Sequence, residues 1–526
     1  MAPLLAVVAG AALYALGLPP FDFAVAGWVA LVPLLLGVRG RDPRSAFVFG
    51  ALYGCACAVA VGGSWIFPAL ARFFATWLVA ATALGLVYAL VFWGSSFGLF
   101  AAAAAVLFRR PATAGRRLAL AAAWVASEAL RGRALGQPWG LLGYTQHAHI
   151  ALIQLAAVTG VYGVSFLLAL ASATIADAVV ALRAREFRRV PRIVGPPIGL
   201  VGTLWLLGAA IVAGGPAGGF GAHTVAIVQT NVPPERDWTR AYTDRQLAAH
   251  VEATRTLAAA HPALVVWPEH AVPRYLETEP ELGAMLAGIA QRNHTDILFG
   301  APRYEDGRTY NSVRLITAAG RNGGAYDKRR LVLLAEHNPL SHDAADTPAD
   351  DPHQFSAGEG PGVLASFVPL GVTICHEILF PELVTASVEA GAALLVNVSN
   401  DGWLDGGHGI ASRQHFAMAV LRAVETRRYL VRAATTGVSG VVDPYGRVVG
   451  TLAPGAIGTL AVPVAGRTRV TPYVRFGDAF ALLCSLSTVL ALGVRRPALR
   501  LRARTAIGGA PTPSDVLAPT RASVRS

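Results

Sequence analysis

Long apolar runs fill the first 213 residues, at 3–18, 22–38, 46–68, 77–107, 118–130, 150–182 and 194–213, each bounded by Pro, Gly or Arg. Most approach the about 20 residues that carry a helix across about 30 Å of hydrocarbon. The pattern predicts seven spans. The fifth reaches span length only by running on towards Gly136, and it carries Glu128 and Arg131, spaced to pair one turn apart. A further apolar run, 477–495, precedes an Arg-rich tail.

From about Gly215 to Val470 the pattern changes to short β-branched runs alternating with amphipathic stretches, which predicts one α/β domain. Strands are expected at 223–231, 263–269, 295–301, 311–317, 370–377, 392–401 and 429–437, and helices at 239–260, 279–293, 378–390 and 410–427. The polar, acidic stretch between Leu340 and Gly360 reads as a mobile surface loop and, by position, a lid. Residues 505–526, rich in Ala, Pro, Ser and Arg, read as disordered.

Composition makes the membrane reading quantitative. Of 526 residues, 54% are hydrophobic and 14% charged, against about 25% charged in soluble domains, so a purely water-soluble protein is excluded. The N-terminal run lacks a basic n-region and is followed at once by further spans, so it reads as a span and not a cleaved signal. Arg39, Arg41 and Arg44 follow the second run, Arg109, Arg110, Arg116 and Arg117 the fourth, and Arg183, Arg185, Arg188, Arg189 and Arg192 the sixth. Alternate loops carry less charge, with Arg72 after the third run and Arg131 and Arg133 after the fifth. The positive-inside rule therefore puts both termini in the cytoplasm and the α/β domain outside. The net charge of +12 has its explanation in loops lying against anionic lipid; no aromatic-basic motif of a nucleic-acid module is present.

The 44 basic residues comprise one lysine, Lys328, and otherwise arginine. Arg329 and Arg330 beside it show that plain charge here is written as Arg, and Arg cannot supply an amine's chemistry. Cys55 and Cys57 lie in the third run and Cys484 in the last, leaving Cys375 alone in the outer domain. A lone thiol there is either a buried core residue or one that is used. VVWPE ends in Glu269, AYDKRR carries Lys328, and VTICHE carries Cys375, His376 and Glu377. A thiol nucleophile needs a base and a fixed positive charge where an oxyanion develops, and Glu269, Lys328 and Cys375 supply one of each. Taken singly, each also suits a structural role: a turn carboxylate, a surface cation, a core thiol. A strand sends adjacent side chains to opposite faces, so the Cys-His-Glu run is a poor zinc site and a poor Cys-His dyad. A nearby ammonium is expected to favour the thiolate of Cys375.

These residues resemble the nitrilase superfamily, with its Glu-Lys-Cys triad on an αββα sandwich. The order of spans, sandwich and final span resembles its membrane-embedded branch, the apolipoprotein N-acyltransferase family. GLPPFDFAVAGWVALVPLLL (17–36), SEALRGRALGQPWGLLGYTQ (127–146) and IQLAAVTGVYGVSFL (153–167) carry the likeness in the apolar part. VVWPEHAVP (265–273), YNSV (310–313), YDKRRLV (326–332), ICHEILFPELV (374–384) and NVSNDGW (397–403) carry it in the outer domain. The resemblance implies Glu269 as general base, Lys328 as oxyanion stabiliser and Cys375 as nucleophile. It also implies Glu336 and Glu377 as supporting carboxylates, Trp238 at the substrate mouth and His376 at the acyl chain or donor head group. Two departures from the family stand out: Leu333, Leu334 and Ala335 replace Pro-Phe-Gly, and His376 replaces Tyr.

The fold implied is a multi-span α-helical membrane domain (1–214), a nitrilase-like α/β sandwich (215–470), a C-terminal transmembrane helix (471–496) and a cytoplasmic, disordered tail (497–526). The activity implied is ping-pong acyl transfer, without metal or cofactor. The donor would be a membrane phospholipid, and the acceptor the N-terminal amine of a diacylglyceryl-lipoprotein. The setting is a bacterial cytoplasmic membrane. A membrane-tethered amidase is one competing reading, though it has no use for lateral access from lipid. A silent scaffold or transporter is another, set against an intact triad and nearly charge-free spans.

Overall fold

The structure is a computed structural model that describes residues 3–73, 77–215, 219–235, 237–332, 335–337, 354–405 and 409–493. Most of the expected 340–360 lid, Leu333, Leu334 and the tail lie outside these residues.

Helices occupy the chain up to Ala213. Among the described residues, four are long and apolar enough to cross a membrane: Pro43–Arg72, Val79–Leu107, Val161–Arg183 and Phe187–Ala213. The last leaves Ile198, Trp205, Leu206 and Leu207 on an exposed apolar face, as lipid contact requires. Others of the seven apolar runs form shorter or broken helices. The second run is two short helices, Val25–Val29 and Val32–Gly37, the latter with Pro33 in its first turn. Proline lacks the N–H that would bond back across the break, and the Tyr53 hydroxyl donates to the Ala30 carbonyl there. The sixth run breaks at Gly160, φ +64°, where a Cβ would stand 2.5 Å from the Tyr473 ring. Glu128 and Arg131 do not pair; Glu128 accepts from the Leu142 N–H at 2.6 Å, and Arg131 donates to the Trp139 carbonyl at 2.7 Å.

The α/β part is two six-stranded sheets. The first contains β1 (Phe220–Gln229), β2 (Leu264–Val266), β3 (Asp296–Glu305), β4 (Arg308–Ile316), β5 (Asn322–Asp327) and, from the far end of the domain, β12 (Gly458–Gly466). The second contains β6 (Val363–Ala365), β7 (Pro369–Ile374), β8 (Leu394–Ser399), β9 (Leu430–Ala434), β10 (Ser439–Val442) and β11 (Val448–Leu452). The orders are β12-β1-β2-β3-β4-β5 and β11-β10-β9-β8-β7-β6. In each, three central strands run parallel and the flanking ones antiparallel.

Alternation along the strands builds two faces. On β1, Val225 and Ile227 point between the sheets, against Val372, Ile374, Val396 and Val398. Ala226 and Val228 point outward, beneath helices Arg240–Arg255 and Pro280–Asn293. The opposite outer layer, helices Pro381–Glu389 and Ile410–Thr426, shares one core with the membrane-type helices: Phe380, Val384, Leu421 and Val424 belong with Trp124, Ile153 and Val161. Gln414 joins the parts by polar contacts, its amide donating to the carbonyls of Pro19 and Val61, each at 3.0 Å.

Candidate active site

Glu269 follows β2, Lys328 follows β5 and Cys375 follows β7, so three sequence-distant residues gather at strand ends. Gly300 of β3 makes room for the first. A Cβ on it would lie 2.6 Å from Glu269 Cα and 2.5 Å from the His270 nitrogen. Cys375 does not extend β7 as expected. The strand stops at Ile374, and Cys375 opens a 3₁₀ turn, Cys375–Leu379, with φ +52°. A non-glycine residue there is strained. The strand-face argument against a Cys-His dyad and a zinc site accordingly falls with the strand that it assumed.

Lys328 Nζ donates to Glu336 Oε1 at 2.7 Å and to Glu269 Oε1 at 3.2 Å. Asn311 Nδ2 bridges the same two oxygens, 2.9 Å from each. The second oxygen of Glu269 accepts from the Asn400 N–H at 2.8 Å, and that of Glu336 from the Val332 N–H at 2.8 Å. Burial, the largest single effect, opposes ionisation of Glu269, but the Lys328 ammonium, His270 and the hydrogen bonds from Asn311 and the Asn400 N–H together outweigh it, and the carboxyl stays below its ordinary pKa. Burial likewise opposes the ammonium, and Glu269 with Glu336 overrides it, raising Lys328 well above its usual value. Cys375 goes the other way from expectation: burial first, then the Glu269 charge, push the thiol well up, and Lys328 does not offset them. At rest Cys375 is therefore a thiol in the same site as an ionised carboxylate.

Glu377 sits behind the site. Its Oε1 accepts from the N–H groups of Arg329 and Arg330 at 2.8 and 3.0 Å, and its Oε2 from the Ile374 N–H at 2.8 Å and the Tyr326 hydroxyl at 2.9 Å. It thereby ties the Lys328 segment to the Cys375 turn. On the other side, Asn397 donates to the Cys375 carbonyl at 3.2 Å, and Arg432 donates to Asn397 and to Asp401.

A cavity of about 440 Å³ opens onto Glu269, Lys328, Glu336, Cys375 and His376. Its other wall comes from the helical part: Trp65, Ile66, Ala69, Leu70 and Tyr88, with Gly136–Trp139. Pro68 sits within the helix that supplies the first four. His376 lines the cavity with its Nδ1 buried and without a hydrogen-bond partner among the described residues. Burial, then Lys328, pushes this imidazole down to about 3, so it is neutral. Trp238 is not a lining residue. It stacks edge-on against His270, 5.1 Å between ring centroids, and His270 is what reaches the cavity.

Asn311, Gly300, Asn397 and the Asn400 backbone were not assigned roles from the sequence. YNSV and NVSND flagged three of them as segments without saying what they do, whereas Gly300 shows only as a lone glycine inside a strand pattern, the usual mark of a close backbone approach. In the apolar wall, Gly136–Trp139 lies in the 127–146 segment that carries the likeness, whereas Trp65, Ile66, Ala69, Leu70 and Tyr88 have no sequence signal beyond hydrophobicity.

Family models match both parts. One for the apolipoprotein N-acyltransferase N-terminal domain covers residues 10–174, and one for carbon-nitrogen hydrolases covers 224–473. An apolipoprotein N-acyltransferase from Geobacter metallireducens is 33% identical, over 94% of this chain and 96% of that protein. One from Caulobacter vibrioides is 34% identical, over 94% of both. Among solved structures, a Nesterenkonia amidase of the nitrilase superfamily aligns with 50% of this chain and 97% of its own, at 21% identity and TM-score 0.39. The C. elegans NitFhit protein aligns with 51% of this chain and 64% of its own, at 18% identity and TM-score 0.37.

Proposed function

The chain belongs to the apolipoprotein N-acyltransferase family, and on that premise we propose the residues and the course of its acyl transfer. Glu269 takes the thiol proton as Cys375 Sγ attacks an ester carbonyl of a membrane phospholipid. Lys328 holds the oxyanion, and needs no proton exchange to do so. The ester C–O bond breaks, Glu269 returns the proton to the departing glycerol oxygen, and a lysophospholipid leaves a thioester on Cys375. The neutral α-amine of a lipoprotein's diacylglyceryl-cysteine then attacks that thioester. The C–S bond breaks, and the proton shed by the amine restores the thiol through Glu269. Glu336 orients Lys328, Glu377 braces the Cys375 turn, and His376 lines the acyl path, with Trp238 supporting its mouth through His270.

The carrying observation is the two-sided cavity, with chemistry on the sandwich side and apolar helix side chains on the other. Acyl chains contribute about 0.8 kcal/mol per buried CH₂, so such a wall suits lipid substrates arriving from the bilayer. A small amide has no use for it. The wall also excludes water from a thioester that water would hydrolyse.

The domain limits we propose are 1–214, 215–470, 471–496 and 497–526, with the catalytic domain outside and both termini in the cytoplasm. Two helices support this orientation. The one that starts at Pro43 runs from the Arg39 end to the cavity at Trp65–Arg72. Val161–Arg183 runs back, from a Val161 N–H bonded to Glu425 to an Asp177 gripped by Arg39, Arg116 and Arg117. The arginine-rich end and the cavity thus lie at opposite helix ends.

The test is restoration of N-acylation in membranes that lack it, using a diacylated lipopeptide. Gain of one acyl chain on the peptide amine is expected; phospholipid or amide hydrolysis without transfer would contradict the reading.

A further inference from the structure

Arg330 packs against two residues of the cavity lining without being a lining residue itself, and acyl transfer as described leaves its guanidinium unused. Its backbone N–H and that of Ile374 bind opposite oxygens of one carboxylate, Glu377, at 3.0 and 2.8 Å. A single buried group thus fixes Arg330 relative to the turn that begins at Cys375. The guanidinium lies over the Phe380 ring, 3.8 Å from its centroid. It also approaches Gly136 so closely that a Cβ there would stand 2.6 Å from Nη2. Phe380 and Gly136 both line the cavity.

The charge on Arg330 is loosely met. Glu382 lies 3.6 Å away and is shared with Arg133. Among the described residues the guanidinium makes no hydrogen bond, and 38% of the side chain is exposed. Five N–H donors are therefore held in a plane, one face on an aromatic ring, with Nη1 turned towards Glu382 beyond hydrogen-bond distance and Nη2 beside the backbone of Gly136. Arg72, which lines the cavity, already donates to the Leu404 carbonyl at 2.6 Å. Deeper inside, Glu269 and Glu336 outnumber Lys328. At rest the floor therefore carries excess negative charge, which disfavours a phosphate there and leaves Arg330 as a cation beside the lining.

The geometry points to Arg330 as the site that binds the phosphodiester of the acyl donor, clamping it bidentately beside the cavity lining while the ester carbonyl reaches Cys375. This rests on the acyl-transfer reading and adds what selects a phospholipid among esters. A phosphodiester matches the fork of an arginine as it does not match an ammonium.

The experiment follows acylation of Cys375 in the full-length protein with two donors: phosphatidylglycerol in mixed detergent micelles, and the phosphate-free ester p-nitrophenyl palmitate. Arg330→Ala is expected to lower kcat/KM for the phospholipid at least about tenfold, mainly through KM, and to leave the phosphate-free ester unchanged. Arg330→Lys is expected to recover part of the loss. Equal rates with phospholipid, or equal losses with both donors, overturn the assignment and leave acyl transfer standing. Arg330-dependent inhibition by inorganic phosphate, together with an unchanged phospholipid KM in Arg330→Ala, overturns the lipid-borne source. Wild-type protein that neither donor acylates overturns the underlying reading itself.

Discussion

Lys328 Nζ lies 2.7 Å from Glu336 Oε1, closer than to the Glu269 oxygen with which it shares the site. The lysine side chain is 1% exposed, so its ammonium is sealed between two carboxylates and Asn311. An Arg at this position keeps the charge but brings a planar fork into space shaped for a compact cation. Lys328→Arg is expected to fold and to lose at least about 100-fold in the acylation rate, an oxyanion-donor loss of roughly 3 kcal/mol. Near-normal turnover would show that any cation serves.

Glu336→Gln removes the nearer of the two charges that hold that ammonium. Single-turnover acylation is expected to slow by roughly 10- to 100-fold, with thermal stability lowered only modestly, since Gln still bonds Asn311 or Val332.

The thiol and its base predict a pH profile. The pKa of Cys375 is raised, so its neutral form persists through the range where a free thiol, with pKa about 8.5, would titrate. The pKa of Glu269 is lowered, so it is ionised wherever a free glutamate is. The acylation rate should therefore be flat from about pH 6 to about pH 9, and the thiolate ultraviolet difference between wild type and Cys375→Ala should be absent there. A thiolate signal rising below about pH 8 would mean that Lys328 controls the nucleophile after all.

Glu377 accepts four hydrogen bonds from three backbone N–H groups and the Tyr326 hydroxyl. A Gln there must turn an NH₂ towards donors. Glu377→Gln is expected to cost about 2–4 kcal/mol of stability and most activity. Tyr326→Phe, which removes one donor, should cost about 1 kcal/mol in thermal or denaturant unfolding.

Gly300→Ala tests the backing of the base. The added methyl group meets backbone on every side: His270 N at 2.5 Å, Glu269 Cα at 2.6 Å and the Pro268 carbonyl at 2.7 Å. Overpacking of about 1–3 kcal/mol is expected, with a loss of kcat larger than any rise in KM because Glu269 is displaced from the thiol.

Much of this was legible in the chain. The pattern located seven strands, and the lone lysine in an arginine-rich protein pointed to a residue that the fold buries between Glu269 and Glu336. What was missed follows from what one-dimensional patterns omit. Edge strands such as β6 and β11 are short and half exposed, so their period-2 signal is weak. The breaks at Pro33 and Gly160 lie inside runs whose average hydrophobicity hides them. Cys375 leaves the strand because a left-handed φ is imposed by the surrounding packing, through Glu377 and Asn397, and not by its own type. The apolar wall unites Trp65 with Trp139 and Leu379, which only tertiary packing brings together.

The central claim is that Cys375 carries the acyl group between donor and acceptor. Intact-mass analysis of the purified protein after incubation with phosphatidylglycerol tests it most directly. The account expects a mass increase of one acyl chain, released by hydroxylamine, discharged by a diacylated lipopeptide and absent in Cys375→Ala. Lipopeptide acylation by protein that never shows the adduct, or an adduct that persists in Cys375→Ala, would contradict it.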